Sequence, residues 1–449
     1  MGNSVLFFEK YPFMGVELFG LLGNNYCLLS YYDDGCYKML KKLDYPVITY
    51  GNVSFLETID SDKAVGFMLS DERYLKKIIK RNGNDDRALF FYMSEEMNKL
   101  CKRQKIKMAL PSYTVQEKIG NKLFLQDICK KLGIKVNKSI SINKVDEDVS
   151  KIYTKCLNEL ETPFIVQGGL GVSGEDTFII NSEQELTNYL PKLSNKFRAS
   201  KFLKKNIPLS VHICITKDET YYEGPYVQLV GFRELAKNPF QFSGNDTNQK
   251  IITEDTKKII FELSMKLSGY AKNEGYLGIM GVDFLWDLET ERVYVQEINS
   301  RLVGLTRLLT GIQKEQKIIP DLVRHINVFT ELQIDKSCQN KKIDLSKNNY
   351  SQIYISHNSA EEILVKKYLL PGIYKVAGNS LIRTKNSLFV SDMDLDEILI
   401  NFSIYEGIKL HKDQVMFKII LKSSILVKNK YELSENLVKI IKVLRSEIL

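Results

Sequence analysis

Residues 278–301 of this 449-residue chain have the sequence pattern of a β-hairpin. Two segments rich in β-branched and aromatic residues flank a polar turn at 287–292, a pattern typical of two antiparallel strands joined by a short loop. Side chains alternate between the two faces of a strand, so Glu297, Asn299 and Arg301 share one face. The hairpin therefore gathers polar and charged groups on one surface.

The register of this hairpin predicts a metal site. With a fold about Thr290, Asp283 lies opposite Glu297 and their Cβ atoms are about 5 Å apart, where two like charges repel each other. A bound cation removes that repulsion. Two carboxylates and the Asn299 amide oxygen suit Mg²⁺, which completes its shell with nucleotide phosphates. An exposed acidic hairpin without a ligand is the alternative that the hairpin alone leaves open.

Length and composition favour a soluble, multidomain protein. The chain is too long for one hydrophobic core, and its 44% hydrophobic and 26% charged residues are ordinary for globular proteins. No apolar run is long enough to span a membrane, and the N-terminal residues lack the pattern of a signal peptide. Seven scattered cysteines without a C-x-x-C pair are expected as free thiols, so we expect a cytoplasmic protein.

The number and distribution of charged residues give no indication of a nucleic-acid partner. The net charge of +8 is modest for this length, and the basic residues are interspersed with acidic ones. We find no nucleic-acid-binding motif, so no nucleic acid is expected as a partner. The four histidines show no metal-ligand spacing, which disfavours a zinc site.

Strand and helix patterns divide the chain into three domains and predict a mixed α/β fold. Residues 1–112 alternate strand-like and helical segments, which predicts a parallel sheet. Residues 113–332 form the second domain and contain the hairpin. Residues 333–449 are rich in strand-like segments and end in an amphipathic helix capped by Ser434.

A glycine-rich loop lies between two strand-like segments in residues 164–180. Its glycines allow positive φ angles and a close approach of the backbone, so that successive amides can point at an anion. These glycines are Gly168, Gly169, Gly171 and Gly174. The loop matches neither the dinucleotide-binding fingerprint nor the Walker A motif. A phosphate-binding loop and a flexible hairpin tip are both compatible with it.

Two further segments bear on nucleotide binding. A helix is predicted over 115–132 with Gly133 as its C-cap, and Lys122 near its middle is either a phosphate ligand or an ordinary surface lysine. Residues 200–203 connect two extended segments, and a turn is predicted at 206–208. The backbone of this connection is either a hinge that offers an amide and a carbonyl to a purine edge or a plain strand connection.

The order of these elements resembles the ATP-grasp superfamily over residues 113–332. The resemblance implies an ATP-grasp fold whose two lobes, at about 113–200 and 201–332, clamp ATP. The flanking segments, 1–112 and 333–449, then form an N-terminal parallel α/β module and a strand-rich C-terminal module. The ATP-binding residues that the resemblance implies are Lys122, Gln167, Gly168, Gly169, Gly171, Gly174, Ser200, Lys201 and Leu203.

The resemblance also implies the roles of the hairpin residues. Asp283, Glu297 and Asn299 match the family's ligands for magnesium, of which two ions are expected. Arg301 matches the arginine that holds the substrate carboxylate or its acyl phosphate, and Asn299 and Arg301 are the expected catalytic residues.

One departure concerns the triphosphate site. The family usually has a second lysine before the glycine loop, where this chain has Gln167, and a glutamine supplies no charge. Either another cation, such as Arg233, substitutes for that lysine, or nucleotide affinity is lower. Gln167, the two flanking modules and the segment Pro371–Tyr374 together are similar to the pheganomycin-type peptide ligases and to the glutamyl–carrier-protein ligase of aminoglycoside side-chain assembly.

This resemblance implies an ATP-dependent ligase of natural-product (antibiotic) biosynthesis. Such an enzyme activates an amino-acid or peptide carboxylate as an acyl phosphate and transfers it to an amine or to the thiol of an acidic acyl-carrier protein. Two alternatives stay open. One is a biotin-dependent carboxylase subunit, disfavoured because the chain lacks a biotinyl Met-Lys-Met segment, and the other is a nucleotide-binding protein without catalysis, which Gln167 motivates.

Overall fold

The computed structural model describes residues 4–51, 59–82, 86–145, 147–168, 177–330, 332 and 338–449. The strands within these residues are β1 (Val5–Glu9), β2 (Tyr26–Ser30), β3 (Val47–Thr49), β4 (Arg87–Phe90), β5 (Lys107–Met108), β6 (Ser139–Asn143), β7 (Phe164–Gly168), β8 (Thr177–Ile180), β9 (Lys196–Lys201), β10 (Asn206–Ile215), β11 (Thr220–Val230), β12 (Phe242–Asp246), β13 (Gly278–Asp287), β14 (Arg292–Asn299), β15 (Ser351–Ser356), β16 (Ile363–Leu364), β17 (Gly372–Ala377), β18 (Ser380–Lys385), β19 (Ile398–Ser403), β20 (Lys409–Leu410) and β21 (Val415–Leu421). The α-helices are α1 (Gly35–Lys42), α2 (Ser61–Ser70), α3 (Glu72–Asn82), α4 (Glu95–Arg103), α5 (Tyr113–Gly120), α6 (Leu125–Lys131), α7 (Val149–Leu160), α8 (Glu183–Tyr189), α9 (Glu254–Asn273), α10 (Leu305–Glu315), α11 (Asp321–Phe329) and α12 (Glu435–Ile448).

The N-terminal strands form a parallel sheet in the order β3-β2-β1-β4-β5, as predicted. Strands β1 and β2 are buried along their whole length, which is typical of a parallel sheet covered on both faces. The chain order reverses between β1 and β4. The carboxyl ends of these two neighbouring strands therefore border a crevice of the kind in which open α/β sheets bind ligands.

A second, antiparallel sheet has the order β6-β9-β7-β8, and α7 packs against it. Phe164 and Val166 on β7 point into the core beneath the helix, together with Phe197 and Ala199 on β9. Because side chains alternate along a strand, Gln167 on β7 belongs to the opposite face. Arg198 and Ser200 on β9 alternate with Phe197 and Ala199 and so lie on that face as well.

The largest sheet is antiparallel and has ten strands in the order β14-β13-β10-β11-β12-β15-β21-β19-β17-β18. It runs across the predicted domain boundary near residue 332, because β12 pairs with β15. Gly244 makes this pairing possible. Its φ is +127°, and a methyl group on its Cα would overlap the carbonyl oxygen of Gln352 on the neighbouring strand.

Two local predictions about the second domain are wrong. The expected helix over 115–132 is broken into α5 and α6, since Asn121 is extended and its side chain accepts a hydrogen bond from the Leu123 amide, which competes with helical bonding. The turn expected at 206–208 lies earlier, at 204–205, because Pro208 is accommodated near the start of β10. The C-cap at Gly133 is confirmed by its φ of +64°.

The predicted terminal helix is confirmed as α12, whose N-cap Ser434 accepts a hydrogen bond from the Leu437 amide. Its apolar stripe packs into the core beneath the large sheet. In the part of the chain that the structure describes, no helix combines the length and the hydropathy needed to cross a membrane.

Candidate nucleotide and metal site

The hairpin of β13 and β14 places Asp283 directly opposite Glu297, as predicted. A β-bulge is responsible for this pairing. The strand ends pair Asp287 with Arg292, so an uninterrupted register would put Gln296, and not Glu297, opposite Asp283. The register shifts by one residue between Asp283 and Phe284, which brings the two carboxylates face to face.

Asp283 is strongly perturbed by its surroundings. Its two carboxylate oxygens accept hydrogen bonds from Gln228 Nε2 at 2.8 Å and from Asn299 Nδ2 at 2.9 Å. Burial, and next the facing Glu297, raise the pKa of Asp283 to about 7, although Arg301 and Asn299 oppose the shift. A bound cation would favour the ionised form, so this carboxyl group is suited to a metal.

Two basic residues complete the cluster around the hairpin. Lys122 lies in the turn between α5 and α6, and its Nζ is 3.2 Å from Glu297 Oε2. Arg301 donates to Asn299 Oδ1 at 2.9 Å, and its guanidinium lies 5.6 Å from the ring centre of Phe91. Since Phe91 follows β4, Arg301 borders both the hairpin and the crevice of the parallel sheet.

Gln167 has a cationic neighbour that the sequence analysis missed. Strand register places Arg198 directly opposite Gln167, and Arg198 Nη2 donates to Gln167 Oε1 at 3.0 Å. Arg198 is 8% exposed, and its Nε has no acceptor among the described residues. Arg233, the substitute considered from the sequence, is exposed, and its carbonyl accepts from Asn358 Nδ2.

A sequence signal for Arg198 did exist. Arg198 lies two residues before Ser200, so both side chains belong to the same face of β9. Burial is the main influence on the Arg198 guanidinium and lowers its pKa, whereas Glu297 raises it. The electrostatic link to Glu297 places Arg198 on the side of the lobe that faces the hairpin.

The predicted hinge lies where the chain passes from one sheet to the other. Ser200 is buried within β9, between β6 and β7. Lys201 is exposed and its carbonyl accepts from Asn137 Nδ2 at 2.7 Å, whereas the Leu203 side chain is buried. Contact of these residues with adenine stays a prediction.

The glycine loop is described only in part. Gly168 ends β7 and pairs with Phe197 on β9. The predicted loop residues Gly169, Gly171 and Gly174 lie outside the described residues.

A line of polar side chains crosses the large sheet from the hairpin toward β15. Asn245 donates to Ser210 Oγ at 3.0 Å and accepts from Gln352 Nε2 at 3.1 Å. Ser210 is paired with Asp283 on the adjacent strand. These residues, like Gln228, are far apart in the sequence, so no local pattern could have linked them to the hairpin.

The donor set of the hairpin suits a hard cation. Within the described ranges, no three His, Cys, Asp or Glu side chains gather into a group that could hold a metal ion by themselves. Asp283, Glu297 and Asn299 instead offer two carboxylates and an amide oxygen. Such a partial set is what Mg²⁺ uses when water and substrate phosphates complete its shell.

Comparison with known proteins identifies the fold. No protein-family model matches the chain. The chain is 23% identical over 245 residues to biotin carboxylase 1 of Bacillus subtilis (strain 168), and this match spans about half of either protein, 51% of each. Among solved structures, the biotin carboxylase domain of Hydrogenobacter thermophilus 2-oxoglutarate carboxylase is similar, with a TM-score of 0.63, 15% identity and coverage of 94% of this chain and 87% of that one.

An L-amino acid ligase from Bacillus licheniformis matches with a TM-score of 0.61 and 13% identity over 100% of this chain and 98% of that one. N5-carboxyaminoimidazole synthase from Aspergillus clavatus matches with a TM-score of 0.57 and 13% identity over 99% and 98%. The chain therefore has the ATP-grasp fold, as predicted. At these identities the likeness establishes the fold alone, and it is shared between carboxylases and an amino acid ligase.

Proposed function

We propose that this protein is an ATP- and Mg²⁺-dependent ligase that activates the carboxylate of an amino acid or a peptide as an acyl phosphate. The observation that carries the proposal is the pairing of Asp283 with Glu297, with Lys122 and Arg301 beside them. The similar biotin carboxylase domain was solved with MgADP and bicarbonate, which supports a nucleotide and magnesium at this site.

In the proposed reaction, a carboxylate oxygen attacks the γ-phosphorus of ATP and the bond to ADP breaks. An amine or a thiol then attacks the acyl carbon, loses its proton, and displaces phosphate. Magnesium would supply charge neutralisation for the phosphates and be held by Asp283, Glu297 and Asn299. Most of the catalysis would come from positioning and electrostatics, as is general for phosphoryl transfer.

The remaining residues have distinct parts in this proposal. Lys122 and the face that carries Gln167 and Arg198 would bind the triphosphate. Arg301 would hold the substrate carboxylate in a bidentate fork, a geometry that a lysine cannot reproduce. The hinge at Ser200, Lys201 and Leu203 would contact the adenine.

In the first version of the proposal, the group that receives the activated acyl group is an amine. The likeness to an L-amino acid ligase over the full length of both chains supports it. Transfer to the thiol of an acidic acyl-carrier protein is the second version, which the net charge of +8 favours through electrostatic attraction. A role in antibiotic biosynthesis, like the similarity to pheganomycin-type ligases, stays a prediction.

Replacement of Glu297 by Gln tests the site. We expect ADP release to fall by at least 100-fold, because one of the two facing charges is lost while the volume is kept. The matched control is Glu289→Gln, which changes an exposed glutamate in the turn of the same hairpin. Near-normal turnover in a folded Glu297→Gln protein would refute the assignment, and nucleotide binding without turnover by the wild type would favour a non-catalytic protein.

A biotin-dependent carboxylase subunit is the second candidate, favoured by the match to biotin carboxylase 1. Bicarbonate would then be the acid that is phosphorylated, and biotin nitrogen the acceptor. Release of ADP that depends on both bicarbonate and free biotin, and on no amino acid, would establish this candidate over the ligase.

A further inference from the structure

A second cluster, which contains two basic residues, lies at the carboxyl end of β1 and does not include the hairpin residues. It consists of Glu9, Phe13, Arg307, Tyr354 and Lys418, and is called the cationic recess below. Arg307 in the first turn of α10 lies 5.9 Å from the ring centre of Phe13. The Lys418 ammonium lies 4.7 Å from the same ring centre and 4.6 Å from that of Tyr354, its partner on the neighbouring strand.

Several polar atoms of the recess lack partners. Arg307 is 2% exposed and donates through Nη2 to the Leu388 carbonyl, but its Nε and Nη1 are buried without an acceptor in the part of the chain that is described. Glu9 accepts from the Met14 amide through Oε2, and its Oε1 is likewise buried and unpartnered there. Buried donors without acceptors are rare in folded proteins and call for a ligand or water.

Within the recess, the cations Arg307 and Lys418 outnumber the one carboxyl group, Glu9. Lys10, Glu9 and Arg307 act on Lys418, whereas the charged form of Arg307 is favoured by Glu17 and by Glu9, and that of Lys10 by Asp60. Burial, followed by the charge of Lys10, lowers the pKa of Lys418 to about 8, and burial raises the pKa of Glu9. The nearby Glu17 already has a cation, Lys314, at 3.8 Å. An anion between Lys418 and Arg307 would pair with the ammonium and accept from the free donors of the guanidinium.

The recess reaches solvent only at its partly exposed members, and it lies beside the crevice of the parallel sheet. Lys418 and Tyr354 keep partial exposure, although the strand residues on either side of each are buried. Glu9 ends β1 and Phe91 follows β4, so the recess and Arg301 border the same crevice. Arg301 precedes Arg307 by six residues, and the last three of these positions lie in the first turn of α10. The Cα atoms of the two arginines are therefore at most about 15 Å apart.

We infer that the cationic recess binds a second anionic group of the acid that the enzyme activates. The substrate class is then a small diacid, either a dicarboxylate or a phosphorylated carboxylic acid. Its reacting carboxylate would lie at Arg301, its second anion at Arg307 and Lys418, and its carbon chain against the rings of Phe13 and Tyr354. The inference rests on the proposed function for the reacting end of the substrate.

Direct binding tests the recess without any turnover. Glutarate and O-phospho-L-serine are titrated by calorimetry into the wild-type protein and into Arg307→Met and Lys418→Met. We expect at least tenfold weaker binding in both variants and a milder loss in Lys418→Arg. The control is Lys422→Met, which removes a buried lysine next to the same strand whose charge is already paired with Glu315.

Trapping of the acyl phosphate with hydroxylamine tests the substrate class. Hydroxamate formation from glutarate or O-phospho-L-serine is compared with that from valerate, which lacks the second anion. We expect at least tenfold higher kcat/KM for a diacid, lost in Arg307→Met while the KM for ATP changes less than twofold. The preferred probe of the two identifies the second anion as carboxylate or phosphate.

The outcomes separate the two proposals. Diacid binding that depends on Arg307 and Lys418, without hydroxamate from any acid, would support the recess and refute the ligase. Hydroxamate formed equally well from valerate would overturn the recess, as would diacid binding that is absent or unchanged in both variants.

Discussion

Replacement of Asp283 by Asn should stabilise the ligand-free protein while it removes the metal site. Asp283 is partly buried and faces Glu297, and desolvation together with this facing charge raises its pKa from 3.8 to about 7. Between these values the folded state binds more protons than the unfolded state. Stability therefore falls as pH rises from about 4 to about 7, and the whole penalty is present above that range.

The size of the effect follows from the shift. Three pKa units at about 1.4 kcal/mol each give an upper limit of about 4 kcal/mol at pH 8. The side-chain oxygen of an asparagine at this position can still accept from Gln228. Its NH₂ group, however, then faces the NH₂ donor of Asn299, and the lost hydrogen bond costs about 1–2 kcal/mol. We expect a net gain of about 2 kcal/mol at pH 8 and none at pH 4, where Asp283 is protonated in the folded state and most of the penalty is absent.

Urea denaturation without magnesium at pH 8 and pH 4 measures this difference from the shift of the transition midpoint. Asp287→Asn is the matched control on the same strand, since that buried carboxylate accepts from the Glu289 amide and the Thr290 hydroxyl and should give no gain. An Asp283→Asn protein that is less stable than the wild type at pH 8, or whose gain persists at pH 4, would refute the reasoning.

Three further outcomes are expected. Arg198→Met should raise the KM for ATP by about 10- to 100-fold and Arg198→Lys by less, because the guanidinium supplies charge beside a neutral glutamine; unchanged initial-rate kinetics would exclude this role. Gly244→Ala should lower the free energy of unfolding by about 3 kcal/mol or more, since its φ is positive and a methyl group meets Gln352; an unshifted denaturant midpoint would contradict it. Asp321→Asn should cost about 3–5 kcal/mol, because Arg324 at 2.9 Å is left buried without its countercharge, and calorimetric melting checks this against the wild type.

Local sequence patterns were sufficient to predict several elements of the fold. Apolar runs between helical segments predict the parallel sheet of residues 1–112, and the cap at Ser434 predicts the terminal helix. Each of these signals is contained within a few neighbouring residues. The hairpin belongs to this group as well. Its strands are neighbours in the chain, so alternation alone places Glu297 and Asn299 on one face.

Contacts between strands depend on the folded chain and could not be predicted from local pattern. The bulge that puts Glu297 opposite Asp283, the Gln228 hydrogen bond to Asp283 and the pairing of Arg198 with Gln167 all depend on strand register across the fold. The continuation of one sheet through β12 and β15 depends on Gly244 in the same way. Except for the hairpin pair, these contacts join segments that are far apart in the chain, so no short stretch of sequence contains both partners.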